Sequence, residues 1–407
     1  GARTPRPARR PSGPGDPDMQ PATATIDAPA RPHWAWLLAT VLASALLAWF
    51  ASQPPRALPA DAPAGEFSAM RAMDDVRVIA ARPHPTGSAA NDAVRAHLVA
   101  RLQALGFRVR EQPFALTPKQ TARLAKRGSA PATHGVNLIA VRPAASAGEA
   151  DEQPAVALMA HYDSVTGSPG ASDDAFGVAA SLEIARAIPR AAQRRDLAIV
   201  LTDAEEIGLA GARAFFATPP AGDPLAARIS TLVNLEARGG GGRAIMFQAS
   251  PGNGALVELF GDVVRQPAAN SLAVSIYERL PNSTDFTEAL ARGVRGYNFA
   301  PIGDARLYHS PLATPDNVDP RALQHLGSQA LDLTRALLAA EALPEPAPDV
   351  VFSDVLGLAT IAHAPWVGWA LLLVATGLLA FVARASRDAW TARGTAVAAG
   401  HGLGALA

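Results

Sequence analysis

The sequence predicts an α/β protein: a three-layer sandwich with a mostly parallel central sheet, flanked by transmembrane helices. Three observations carry this expectation. Short apolar runs of strand type alternate with helical patterns through the middle of the chain, the rhythm of an α/β fold. His and carboxylate residues stand just past the ends of those runs, where ligands of open parallel sheets gather. Two long uncharged stretches bracket the whole region.

From the N-terminus, residues 1–32 are rich in Pro, Arg, Ala and Gly without any period and read as a disordered tail. Residues 33–52 read as a transmembrane helix. Its core, 34–52, has no charge over 19 residues; at about 1.5 Å per residue it nearly crosses a ~30 Å hydrocarbon layer. Trp34, Trp36 and Trp49 lie near its ends, where aromatic rings favour the interface. A cleaved signal peptide would have a shorter apolar core and a less extended leader, so the segment reads as an uncleaved anchor. Residues 53–65 form a Pro/Ala linker.

Residues 66–340 read as one globular domain, large enough for a substantial core. Within it, 92–105 puts Val94, Leu98, Leu102 and Leu105 on one helix face. Residues 107–114 alternate like an edge hairpin strand. The runs 136–141, 155–159, 197–201 and 232–235 are of buried-strand type. Residues 175–188 carry Phe176, Ala179, Ala180, Ile184 and Ile188 at helical spacing, and 210–217 is a shorter helix candidate. A second linker spans 341–354 and a second transmembrane helix 355–383. Residues 394–407 read as the start of a third, and the chain as a fragment that begins at Gly1.

Charge sets the orientation and removes some functions. Lys plus Arg and Asp plus Glu each number 36, so no general attraction to nucleic acid is expected. There is no Cys, which excludes disulfide scaffolds, zinc fingers and thiolate chemistry. Any metal must be held by His and carboxylates. Arg3, Arg6, Arg9, Arg10 and Arg31 precede the first apolar stretch, and Arg384, Arg387 and Arg393 follow the second. The positive-inside rule then places the N-terminus in the cytoplasm and the middle domain across the membrane, in the periplasm or a lumen.

The chemistry-bearing residues fall into five segments: His161-Tyr162-Asp163, Asp173-Asp174, Asp203-Ala204-Glu205-Glu206, Asn234-Leu235-Glu236 and Tyr308-His309. Each is weak alone. A lone His is usually a surface or core residue, an Asp pair before a helix is usually an N-cap, and a Glu pair is usually solvated. Together they bring two His and three carboxylates to one sheet edge. That set suits two divalent ions sharing one bridging carboxylate.

These segments, with the gap of 12 between His161 and Asp173, resemble the aminopeptidase Y-type di-zinc metallopeptidases, which have a zinc-exopeptidase type of fold. The related di-zinc deacylases place the bridging Asp further from the His. The match is best with the membrane-bound branch that includes vacuolar membrane protease and endoplasmic reticulum metallopeptidase. Its features are the run from Arg82 through His84 and Thr86 to Ser88, the run from Asn234 to Gly239, and Tyr308-His309 followed by Thr314-Pro315-Asp316. The likeness covers roughly 66–340 and the flanking helices. Many soluble members have Asp where this chain has Glu236, whereas Glu is common in the membrane branch.

The resemblance implies two Zn2+ per chain, a lipid bilayer around the anchors and peptides as substrates. His161 and Glu236 would hold one zinc, Glu206 and His309 the other, and Asp173 would bridge them. Glu205 would be the general base that acts on a water shared by the ions, Asp163 would orient His161, and Tyr308 would steady the oxyanion. A free substrate amine bound beside the zinc would make the enzyme an aminopeptidase. The resemblance leaves two alternatives, a glutaminyl cyclase-like acyltransferase and an inactive receptor-like member of the same fold. Residues 239–242 read as a flexible glycine turn or as a close approach to substrate. Ser283-Thr284-Asp285 resembles a pocket segment, with no chemistry assigned to it.

Overall fold

The computed structural model describes residues 1, 34–144, 154–218 and 221–385; the expected tail of 1–32 (beyond Gly1) and the expected third helix of 394–407 lie outside them. The chain divides into two units, residues 1–48 and 49–407. The first contains most of the helix Trp34–Ser52, which has no buried residue.

The second unit is built on a seven-stranded sheet among the described residues. In chain order the strands are β1 (Arg108–Ala115), β2 (His134–Arg142), β3 (Ala155–His161), β4 (Leu197–Thr202), β5 (Ile229–Leu235), β6 (Gly241–Ala249) and β7 (Arg295–Gly303). They lie in the order β1-β2-β4-β3-β5-β7-β6. The four central strands are mutually parallel, and both edges are antiparallel.

Every residue of β3 and β4 is buried, which explains their unbroken apolar character. Successive side chains leave a strand on opposite faces. Val156, Leu158 and Ala160 therefore pack with the helices Ala69–Ile79, Ala89–Ala104, Ala175–Ala187 and Pro320–Ala339. Ala155, Ala157 and Met159 pack on the other face with Phe215, Phe286 and Ala289, from the short helices Ala210–Phe215 and Asp285–Leu290. This is the expected three-layer sandwich.

Three boundaries differ from expectation. The second apolar helix is Pro365–Ala385. Val355 belongs instead to a hairpin, β8 (Val351–Val355) with β9 (Ala359–His363), turned by Leu356 and Gly357 at positive φ. Its apolar composition runs on into the helix and hides the turn. The folded unit also includes the expected linkers. Leu58 donates its N–H to Gln324, and Arg71 donates to the carbonyls of Ala60 and Ala62. At the other end Val350 donates its N–H to Asn253. Pro and Ala richness there reflects extended chain tied down by long polar side chains.

Both apolar helices are long and apolar enough to cross a membrane. Their large side chains are exposed all round, as suits a helix solvated by lipid.

Candidate metal centre

The parallel strands deliver the site residues at their carboxyl ends. His161 is the last residue of β3, Glu205 and Glu206 follow β4, Glu236 follows β5, and His309 follows β7 after a single helical turn. Asp173 lies in the loop from β3 to the helix Ala175–Ala187, joined to Asp174 by a cis peptide bond.

All five expected ligands meet. Asp173 Oδ1 is 3.2 Å from His161 Nε2, and Asp173 Oδ2 is 3.1 Å from His309 Nε2. Glu236 Oε2 stands 3.9 Å from His161 Nε2, and Glu206 Oε1 3.2 Å from His309 Nε2. The Glu206 oxygen is buried and lacks a hydrogen-bond partner despite that distance. Imidazole and carboxylate therefore converge on a common point, as ligands around an ion do. Metal-sized groupings form from His161, Asp174 and Glu236 and from Asp173, Glu206 and His309; Asp173 Oδ1, 3.2 Å from His161 Nε2, also reaches the first. The donor set of N and O atoms fits zinc.

Electrostatics agree with that fit. Burial raises the pKa of Glu205, Glu206 and Glu236, and neighbouring carboxylates raise it further. Burial opposes ionisation of Asp173 as well, but His161 and His309 outweigh it and hold its pKa at about 2. The same carboxylates overcome the burial of His309 and raise it to about 9. Buried acids so crowded need a compensating cation.

Supporting contacts differ in part from expectation. The nearest partner of His161 Nδ1 is the main-chain carbonyl of Asp163 at 3.0 Å; the Asp163 carboxylate is 3.5 Å away. That carboxylate mainly receives the backbone N–H groups of Glu205 and Glu206. The hairpin of chain that presents them begins at Ala204, whose φ is 62°, a conformation that costs a non-glycine residue about 1 kcal/mol or more. Asp174 is the cap of its helix. It accepts the N–H groups of Gly177 and His161, and a Cβ on Gly177 would meet its carboxylate at 2.5 Å.

The sequence reading missed Asn137 altogether and the structural roles of several residues it did name. Thr86 donates to Asp203 at 2.9 Å and lies 3.4 Å from Asp163. The segment around His84 and Thr86 thus forms the floor beneath the site. Burial and the nearby Asp163 push Asp203 up to about 7. Asn137 accepts the N–H of Asp203 and donates to the carbonyl of Gly211, bracing the Glu205–Glu206 turn. Glycines 239–242 serve strand packing: a Cβ on Gly239 would meet the Gly303 carbonyl at 2.1 Å, and one on Gly240 the Leu307 side chain at 2.3 Å. Asp285 accepts the Thr202 hydroxyl, and Thr284 accepts from Asn298, so this segment is wall.

Beside the metal groupings opens a cavity of about 330 Å³. Glu205, Glu236, Asp173 and Tyr308 line one side, and Ile245, Phe247, Ile276, Leu280 and Ile302 form apolar walls. Tyr308 stacks on His309, with ring centroids 3.8 Å apart and planes 18° from parallel.

The model for peptidase family M28 matches residues 137–334. Endoplasmic reticulum metallopeptidase 1 of Mus musculus is 32% identical over 225 residues, covering 53% of this chain and 25% of that protein. Vacuolar membrane protease of Eremothecium gossypii is 29% identical over 298 residues, covering 70% of this chain and 28% of that protein. The chain therefore spans about a quarter of the length of these curated relatives. Among solved structures, an aminopeptidase from Aneurinibacillus sp. strain AM-1 matches with a TM-score of 0.53 at 15% identity, over 70% of this chain and 98% of that one. A glutaminyl cyclase from Porphyromonas gingivalis matches with a TM-score of 0.50 at 18% identity, over 66% and 98%. At such identities the likeness is one of fold.

Proposed function

We propose, starting from a chain whose residues 137–334 are a peptidase family M28 domain, that this protein is a membrane-anchored zinc aminopeptidase. One observation carries the reading: the two oxygens of Asp173 face two different imidazoles, each with its own glutamate. His161, Glu236 and Asp173 would hold one zinc ion, and Glu206, His309 and Asp173 the second. Bound zinc supplies positive charge that acidifies water and polarises a carbonyl.

The chain's own groups do the rest. Glu205 lines the cavity without belonging to either ligand set, so it is free to take a proton from water and pass it to the departing amine. Burial raises its pKa, which makes it a stronger base once ionised and a usable acid afterwards. Tyr308 stands on the cavity wall as the donor for the carbonyl oxygen. The apolar walls exclude water around the side chain of the N-terminal residue. Glu236, between His161 and the cavity, gives the free amine a carboxylate to meet. The apolar helices hold this domain on the non-cytoplasmic side of the bilayer.

Metal analysis combined with a panel of aminoacyl and dipeptide substrates tests the reading. About two zinc ions per chain and release of free N-terminal residues are expected. A stoichiometry that stays at one ion in excess zinc, with pyroglutamate as the product of N-terminal Gln peptides, would establish cyclase chemistry instead.

A further inference from the structure

Arg238 lies two residues past Glu236, at the mouth of the cavity that Glu205, Glu236 and Asp173 line. Its guanidinium carbon sits 4.3 Å from the centroid of the Tyr308 ring. His309 is already stacked 3.8 Å from that same centroid. Two planar groups so close to one ring must take opposite faces, so Arg238, Tyr308 and His309 form a column. Among the described residues the Arg238 side chain has neither an ion pair nor a hydrogen bond, although its backbone N–H is held by the Pro301 carbonyl. It is also the only cation among the residues lining this cavity.

A guanidinium held over a ring by its charge keeps N–H donors for another group. Those donors suit a carboxylate, which accepts two parallel N–H bonds from one fork. Every acid on the cavity wall is committed elsewhere. Asp173 and Glu236 face the imidazoles, and Glu205 is the proposed base. Arg238 is exposed, so its donors are open to an acceptor that arrives with the substrate.

We propose that Arg238 binds a substrate carboxylate and makes the enzyme selective for peptides that carry one beside the cleaved bond. This rests on the aminopeptidase reading. The carboxylate has two possible sources, the C-terminus of a one-residue leaving group or an acidic side chain on the first residue. Both present the same chemistry to the fork.

The test uses the full chain in detergent, loaded with zinc, and three substrates: Leu-Gly, Leu-Gly-amide and Glu-Gly-amide. A charge-assisted contact of this kind is expected to favour the carboxylate-bearing substrate roughly 10- to 100-fold in kcat/KM, chiefly through KM. A preference for Leu-Gly identifies the C-terminus, and a preference for Glu-Gly-amide the side chain. In Arg238→Met the preferred ratio collapses towards one. Arg238→Lys retains only part of it, because a point charge lacks the fork.

Wild-type ratios near one would overturn the proposal, as would a preference that survives Arg238→Met. An equal loss on all three substrates would also overturn it, since that is what a mere support for the Tyr308–His309 stack would give. Cleavage of Leu-Gly-amide by the wild type establishes peptidase activity independently, so a missing preference removes only the role of Arg238.

Discussion

Asp163 accepts the main-chain N–H of Glu205 on one carboxylate oxygen at 3.0 Å. Its other oxygen takes the N–H of Glu206 at 3.3 Å and lies near the Thr86 hydroxyl. One buried carboxylate thus fixes the proposed base and a proposed metal ligand together. Asn in its place keeps one acceptor and turns an amide donor towards a backbone donor. Asp163→Asn should therefore weaken zinc binding roughly 10- to 100-fold, as loss of an outer support typically does, and lower turnover without abolishing it. Competition titration against a zinc chelator measures this; wild-type affinity in the variant would show that the turn holds itself.

The convergence of the candidate ligands is legible because parallel α/β architecture puts loops at one sheet edge, and His161, Glu206 and Glu236 each stand at the end of an apolar run. Their supports were less so. Thr86 and Asn137 reach Asp203 across 117 and 66 positions of chain, and no local pattern marks such a contact. Asp163 was recognised, but its main bonds go to a backbone that only the left-handed turn at Ala204 brings near. The β8–β9 hairpin was hidden for another reason. From Val355 onward it is largely apolar and leads into a lipid-type helix, so composition alone assigns that part to the span and leaves 351–354 in the linker. Gln324 and Arg71, which tie the N-terminal segment to the core, are long polar side chains of a kind usually read as surface.

Topology is open to direct measurement. The Arg residues flank the two apolar stretches on their outer sides in the sequence, and the positive-inside rule places those flanks in the cytoplasm. A reporter fused after Pro54 should behave as exported, and one fused after Arg387 as cytoplasmic. A cytoplasmic signal from the Pro54 fusion would reverse the orientation of the middle domain.

Acid sensitivity should come in part from His325, far from the metal centre in the helix Pro320–Ala339. The ring is buried; Nδ1 accepts the N–H of Ala244 and Nε2 donates to the Gln266 carbonyl. Accepting the Ala244 N–H requires the neutral form, whereas the bond to Gln266 survives protonation and partly offsets the effect of burial. Burial lowers its pKa from 6.5 to about 4, with Arg243 lowering it and Asp354 raising it as the nearby charges. Because the folded value is depressed, the unfolded chain binds this proton first as pH falls. Stability present above pH 6.5 is thus lost progressively down to about pH 4, on the order of 3 kcal/mol. Thermal unfolding followed by circular dichroism at pH 7, 5.5 and 4 reads the effect. His325→Gln should be less stable at pH 7 yet lose less on acidification; parallel losses in both proteins would exclude His325 as the source.

Glu205 and Glu206 are neighbours with divergent tasks. Glu206 faces His309 at 3.2 Å and belongs to a group that could hold a metal, while Glu205 lines the open cavity beside Glu236. Both backbones are held by Asp163, so replacing one side chain leaves the turn in place. Glu205→Gln preserves shape and polarity but cannot accept a proton. It should retain its zinc and its melting temperature while losing on the order of 10²- to 10⁴-fold in turnover, the usual cost of removing a general base. Glu206→Gln should instead lose zinc, because the amide is a poor replacement for an anionic ligand between His309 and Asp173. Paired measurements of metal content and peptidase rate separate the two. Near-normal turnover of zinc-loaded Glu205→Gln would remove Glu205 from the mechanism. Asp174, next in sequence to the bridging Asp173, is a weak replacement, since its carboxylate already accepts the N–H groups of Gly177 and His161.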